Sequence, residues 1–407
     1  MTEQQPEPAS NPLMYGGILP QEELLASGKK YKKLTIGIPL EKQEIEQRIP
    51  LTPEAVEVLV DNGHEVLLES KAGEGARYTD NNYSECGAFI IDNKKQVLGA
   101  DVVIKVSPLE NYEIEMLKGN QVILSSLLIN SQSEEYIRGL MDKKTTAFAI
   151  EQIKDERNYF PVIQSMSAIS GISAINIAAE LLSNQNDGKG VLLGGISGIT
   201  PTEVIIIGAD TIAEFAARAA IGLGALVKVF DNSPQKLEEL QKCLGQRIHT
   251  SIFHPQVLKR ALKSADVVIG ALNLWDIGPR YFITEDMVCE MKKGSVIIDL
   301  SIGQGGCIET SECRTLQDAV YKKHNVIHYS VPNLPSRVAR TASIALSNIL
   351  SPILVTIGNS GGFKPFLKGN FGVRNGVYIY NGILTNEYLG SRFGIPYKNI
   401  DLLLAAF

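Results

Sequence analysis

Cysteine, histidine and tryptophan are scarce in this 407-residue chain, with five, five and one copies. Cys86, Cys243, Cys289, Cys307 and Cys313 form no CxxC pair, and the histidines lack metal-ligand spacing. A structural metal site and a disulfide framework are therefore not expected. His249, His254, His324 and His328 read as ordinary surface or core residues. HExxH, GxSxG and Walker patterns are absent, so the sequence offers no signature of a zinc protease, a serine hydrolase or a P-loop enzyme. Positive charge is not in excess: the net charge is −6, which disfavours nucleic acid or an anionic membrane as the partner. There is no basic-then-apolar leader and no apolar run near about 18 residues; the expectation is a cytoplasmic protein. At 44% hydrophobic and 21% charged residues, the chain has material for two domains and a large core.

What the chain does have is centred on Glu203 to Asp231, EVIIIGADTIAEFAARAAIGLGALVKVFD. A short apolar run ends in Gly208 and passes into a helical pattern, and a second run, Ala225 to Phe230, closes on Asp231. Strand, tight turn, helix, strand and terminal acid outline a dinucleotide-binding βαβ unit. In the G-x-G-x-x-G fingerprint, however, the second and third glycines are Asp210 and Ala213. Alanine is an accepted third residue; aspartate at the second adds a side chain of the ligand's own charge. At about 4 Å and an effective dielectric near 20, two like charges cost about 4 kcal/mol, or roughly three decades of affinity. Asp210 reads instead as a helix N-cap worth about 1 kcal/mol, its carboxylate filling the chain's own anion site.

Taken in order, residues 1–30 are rich in Pro, Gln and Glu and read as an extension. Strands follow at 34–39, 64–68, 89–91, 101–106, 121–125 and 146–150, with a helix opened by Thr52 and Pro53 and another near 81–86. A long helix over 167–182 leads to further strands at 265–270, 294–299 and 325–328 around the βαβ unit. The glycine-rich stretch 188–198 reads as a loop without the strand-to-helix context of a phosphate cradle. After Pro335 a helix crosses back. The expected fold is α/β, with two Rossmann-like domains whose parallel sheets flank an interdomain cleft. One domain comprises 31–166 and 342–407; the other, of NAD-binding type, comprises 167–341.

Several segments resemble the alanine dehydrogenase and transhydrogenase alpha-subunit family. They include Ile36-Gly-Ile-Pro39, Arg48 before Leu51-Thr-Pro53, His64-Glu-Val-Leu67 with Ala72-Gly-Glu-Gly75, Gly190 to Gly195, Arg247-Ile-His-Thr250, and Gln304-Gly-Gly-Cys307. The resemblance runs from Leu34 to about Pro352. It implies a hexameric NAD-dependent enzyme interconverting L-alanine with pyruvate and ammonia. It also implies that Arg48 grips the substrate carboxylate and that Ser167, Gly208, Asp231 and Asn333 contact the cofactor.

The same resemblance exposes departures. The lysine that touches substrate is Ser107, the histidine that moves protons is Leu128, and the aspartate of the cleft is Gly303. The loop after Ala271 carries Trp275, a plug for the cofactor space or a core residue, and Ala168 replaces an acid. Lys105, two residues before Ser107 on one face of a strand, is the one candidate substitute. Its side chain spans much of the roughly 6.6 Å between those positions. Arg48, Lys105 and Ser107 are expected to face one cleft with Gly208. The functional expectation is therefore a relative with weak or absent alanine dehydrogenase activity and weakened NAD binding. The alternatives are a non-catalytic scaffold or regulatory paralogue, or a protein that binds another small carboxylate through Arg48. Its partners would be a small molecule, with no nucleic acid and no membrane, and further subunits: a homo-oligomer, possible as a hexamer, or a hetero-oligomer with an active paralogue.

Overall fold

The computed structural model describes residues 31–274 and 280–406. The extension 1–30 and Trp275 lie outside the described residues. The strands are β1 (Thr35–Ile38), β2 (Glu65–Glu69), β3 (Phe89–Ile91), β4 (Val102–Ile104), β5 (Val122–Ser125), β6 (Thr146–Ala149), β7 (Glu203–Ile207), β8 (Leu226–Phe230), β9 (His249–Ser251), β10 (Val267–Gly270), β11 (Val296–Asp299), β12 (Val320–Lys323), β13 (Val326–Tyr329), β14 (Val377–Tyr380) and β15 (Ile383–Leu384). They form two sheets, ordered β15-β14-β6-β5-β4-β1-β2-β3 and β12-β13-β11-β10-β7-β8-β9. The central strands are short runs of Val, Ile and Leu, fully buried in β4, β5, β10 and β11. Such runs suit parallel strands covered on both faces.

Both sheets turn direction at one place. In the first, the chain runs outward from β1 to β2 and β3, then returns to begin again at β4 on the other side. In the second, β7 and β10 repeat that pattern. The crevice outside the carboxyl ends of strands at such a switch point is where open α/β sheets bind ligands.

The two sheets are mostly parallel, as expected, with antiparallel pairing at their edges. Strand β12 pairs antiparallel with β13, and the β14–β15 hairpin adds antiparallel to β6. These are short hairpins whose pairing is set by a turn, and a reading based on alternation of strands and helices does not see them.

Four helices position the candidate site: α1 (Pro161–Leu181), α2 (Thr211–Gly222), α3 (Pro234–Leu244) and α4 (Ala339–Asn359). Helix α1 begins six residues before the expected Ser167, because Pro161 is a natural first-turn residue. The segments Pro161–Leu181 and Leu334–Asn359 are long and apolar enough to cross a membrane by length and composition, although serines interrupt their apolar runs. Here they serve as core helices, α1 packed along α2 and against α4. Gly171 makes the α1–α2 approach possible, since a Cβ there would lie 2.5 Å from the carbonyl oxygen of Ile212.

Candidate functional site

The first switch point is built from charge. Glu41 follows β1, and Lys105 and Ser107 follow β4, which ends one residue earlier at Ile104. The buried Glu41 carboxylate accepts the Val106 amide through Oε1 at 2.6 Å and, more distantly, the Ser107 amide at 3.3 Å. Its Oε2 accepts the Ser107 hydroxyl and lies 4.0 Å from Lys105 Nζ. Lys105 is buried and donates to Glu113 Oε2 at 2.7 Å. Lys94 reaches Glu113 at 3.1 Å and Glu69 at 3.5 Å. Carboxylate and ammonium thus alternate from Glu69 through Lys94, Glu113 and Lys105 to Glu41, and the chain ends at the half-buried Ser107 hydroxyl.

Burial pushes the Glu41 carboxyl up to about 7, against the pull of Lys105 and with added repulsion from Glu46. Burial also acts on Glu113, but Lys105 and its hydrogen bonds outweigh it and hold that carboxyl below its ordinary range.

Arg48 lies on the neighbouring strap. Its Nε donates to Glu46 Oε1 at 2.8 Å and its second guanidinium edge to Glu46 Oε2 at 2.6 Å, with a further contact to Met166 Sδ at 3.2 Å. Glu46 is buried, yet the guanidinium overcomes that burial and keeps its carboxyl below the usual range. The strap is tied down by hydroxyls: the amides of Gln47, Ile49 and Thr52 donate to Ser336, Ser343 and Ser347 at 2.7, 2.9 and 3.0 Å. Thr52 precedes its helix as expected, but its side chain makes no cap bond and instead meets Ser347. Asn333, in a left-handed conformation at φ 62°, donates to Glu46 Oε2 at 2.9 Å and so links the second sheet to Arg48.

The second switch point is built from backbone. Gly208 has φ 111°, and a Cβ there would sit 2.6 Å from the Ala271 oxygen on the adjacent strand's exit. Asp231 is buried; its Oδ2 accepts the Ala209 amide at 3.0 Å and its Oδ1 the Ser233 amide at 2.8 Å. Ala213 is fully buried, as a third fingerprint residue should be. Asp210 overturns an expectation. It stands at the N-cap of α2, but its side chain makes no cap bond. It reaches Lys236 of α3 instead, at 2.7 Å. A lysine two residues into α3 is within reach and carries opposite charge, whereas the α2 amides offer only partial charges.

Helix α1 connects the two points. Met166 touches Arg48, half-buried Ser167 follows it, and Gly171 lies against the first turn of α2, within about 8 Å of rise. Arg48, Lys105 and Ser107 are thus gathered around Glu41 and Glu46.

The remaining positions carry little chemistry. Leu128 is 48% exposed at φ 49°, in a loop whose Leu127 and Leu128 amides donate to Glu151 Oε1 at 2.8 and 3.1 Å. Gly303 is exposed, and a Cβ there would make only an ordinary 3.4 Å contact with Pro332. The histidines are placed elsewhere: His64 stacks on Tyr31, His324 meets Glu285, His328 meets Thr310, His249 lies in β9 and His254 precedes the Pro255–Ser264 helix.

A dinucleotide fits these residues only in part. Gly208 and the uncapped start of α2 suit a pyrophosphate, but the Asp210–Lys236 pair stands where the fingerprint requires a bare backbone.

The residues that sequence reasoning missed are Glu41, Glu46, Glu113 and Lys236. Glu41-Lys-Gln-Glu-Ile-Glu46 reads as a solvated charge run. Only the fold shows that its first and last members turn inward.

Residues 37–170 match the profile "Alanine dehydrogenase/PNT, N-terminal domain", and residues 174–387 match "Alanine dehydrogenase/PNT, C-terminal domain". The chain belongs to the alanine dehydrogenase/PNT family. It is 37% identical over 370 residues to an alanine dehydrogenase of Staphylococcus epidermidis, covering 90% of this chain and 99% of the relative. To alanine dehydrogenase 2 of Staphylococcus aureus it is 36% identical with the same coverage. Among solved structures, an L-alanine dehydrogenase superposes with a TM-score of 0.81 at 31% identity, over 88% of this chain and 99% of the other. A transhydrogenase from Sinorhizobium meliloti, with a TM-score of 0.74 at 23% identity over 87% and 99%, shares the fold. The alanine dehydrogenase/PNT fold of two mostly parallel sheets is thus the architecture found here.

Proposed function

We propose that this member of the family binds a small carboxylate beside Arg48 and carries out little or no alanine oxidation. Leu128 supports this reading most. At the position where the resemblance calls for a proton-moving histidine, the chain has a hydrocarbon, and its own histidines are engaged or sited elsewhere. Ser107 and Gly303 weaken the site further, and Lys105 does not compensate, because its ammonium is buried between Glu113 and Glu41. In this reading Arg48 grips the ligand carboxylate, and Ser167, Gly208, Asp231 and Asn333 border a cofactor cleft in which NAD is held weakly.

The same reading takes residues 31–166 and 342–407 as the substrate domain, 167–341 as the cofactor domain, and the cytoplasm as the location. It also includes assembly with further copies, as a hexamer, or with an active paralogue. The loop Leu192, Ile196 and Ile199 supports assembly: it is about two-thirds exposed at Leu192 (67%) and Ile199 (65%) and packs beside Leu223.

The test is NADH formation from L-alanine and NAD at alkaline pH, followed by absorbance. The unaltered protein should stay at background. Ser107→Lys alone should not recover turnover. The combination Ser107→Lys, Leu128→His, Gly303→Asp and Asp210→Gly should raise the rate, the histidine alone contributing about 10² to 10⁴. Robust NADH formation by the unaltered protein overturns the proposal.

A further inference from the structure

A serine hydroxyl has one hydrogen to donate. In the structure Ser107 spends it on Glu41 Oε2, which leaves only lone pairs for anything arriving from the cleft. An anionic ligand meets a repulsive oxygen in that state. If Glu41 carries a proton, the bond reverses: the Glu41 carboxyl donates to Ser107 Oγ, and the Ser107 hydrogen turns outward as a donor. The half-buried Ser107 hydroxyl therefore changes from acceptor to donor according to the charge of the residue behind it.

The surrounding charges favour that reversal. Glu41 faces Lys105 from the β4 end and Glu46 from the strap, with Arg48 on Glu46, and with Glu113, Lys94 and Glu69 behind Lys105. Four carboxylates stand against three cations, so the cluster is negative by one when Glu41 is ionised and neutral when it is protonated. An arriving carboxylate would add a second uncompensated charge unless a proton came with it.

We propose that the cleft takes up a small carboxylate together with a proton, which is held by Glu41 behind the hydroxyl of Ser107. The proton comes from solvent and bonds to Glu41 Oε2; the Ser107 hydrogen reorients and no other bond breaks. The inference rests on the reading of the Arg48 cleft as a carboxylate site. Burial keeps the Glu41 carboxyl near neutrality, so the exchange falls in an accessible pH range. A lysine at position 107 would donate in either state and would pair with ionised Glu41, removing the coupling.

The experiment is calorimetric titration of pyruvate into the full-length protein at pH 7, in phosphate and in Tris, whose ionisation enthalpies differ. A tenfold coupling gives an uptake of about 0.4 proton per pyruvate at the Glu41 midpoint, and affinity should fall by about fivefold over the next two pH units and then level off. Glu41→Gln, whose amide donates to Ser107 permanently, should bind pyruvate at least as tightly, with no proton uptake and a flat pH profile. Ser107→Lys, should Glu41→Gln not fold, should likewise bind without uptake. Pyruvate binding by the unaltered protein with no uptake overturns the inference and leaves the carboxylate reading standing. Uptake that persists unchanged in either variant has the same consequence. No pyruvate binding at all overturns both.

Discussion

At the first switch point β1 and β4 bring together Glu41 and Lys105, tied into buried ion pairs, and the Ser107 hydroxyl that donates to Glu41. At the second, β7 and β10 bring together Gly208 and Ala271, and the ion pair there, Asp210 with Lys236, lies partly in solvent, with side chains 36% and 44% exposed. The strand order is the same in both, so the difference comes from what the loops supply. A buried carboxylate must find a partner or a proton, and each such residue constrains the next. A backbone turn is specified by one glycine, and the side chains beyond it are free to vary. The comparison teaches that the first site is hard to alter singly, and the second is altered at one residue.

The sharpest way to break this contrast is the same chemical change at both points. Glu46→Gln leaves the Arg48 charge buried without a counter-ion and should cost about 3–5 kcal/mol in urea unfolding. Asp210→Asn removes a solvent-screened pair and should cost less than about 1 kcal/mol. Equal losses would dissolve the distinction.

The next effect is one of pH. Glu41 is raised from 4.5 to about 7 in the folded protein, so the folded state binds the proton more tightly than the unfolded chain does. Stability relative to Glu41→Gln should fall as pH rises from about 4.5 to about 7, by roughly 3 kcal/mol, and stay flat above that. A parallel course of the two unfolding curves across that window would show that Glu41 titrates normally.

Smaller is the effect on cofactor binding. Lys236 offsets much of the Asp210 charge, which lowers the gain expected from Asp210→Gly from three decades to about one, near 1.4 kcal/mol. Lys236→Met, which leaves the carboxylate uncompensated, should weaken NAD binding instead. Fluorescence titration with NAD checks both, and a tightening in the lysine variant would mean that Lys236 is the obstacle.

Smallest is Leu128→Gly. A leucine at φ 49° carries about 1–2 kcal/mol of left-handed strain, and glycine relieves it while freeing the unfolded chain. A net stabilisation of about 1 kcal/mol is expected in thermal unfolding; a loss would show that Leu128 packs in a way its exposure does not suggest.

Much of this was legible in the residues. The apolar runs of β7 and β10, Gly208 with its positive φ, the crossing helix after Pro335 and the two-sheet architecture follow from period, turn chemistry and punctuation, which are local. So does the aspartate at the second fingerprint position, Asp210, since a side chain in place of a glycine is visible without coordinates. The role of Asp210 was not legible. Its partner Lys236 is 26 residues away, and only the packing of α3 beside α2 decides that the carboxylate leaves the helix start for an ammonium.

Glu41 shows the same limit more strongly. Its sequence neighbours describe a charged surface loop, yet the β1–β4 junction buries it against Ser107, 66 residues on. Sequence by itself determined the fold, because it is written in residue types and spacing. Tertiary structure alone decided which charges meet, because burial and pairing depend on approach between segments distant in the chain, and those set whether a carboxylate stays ionised.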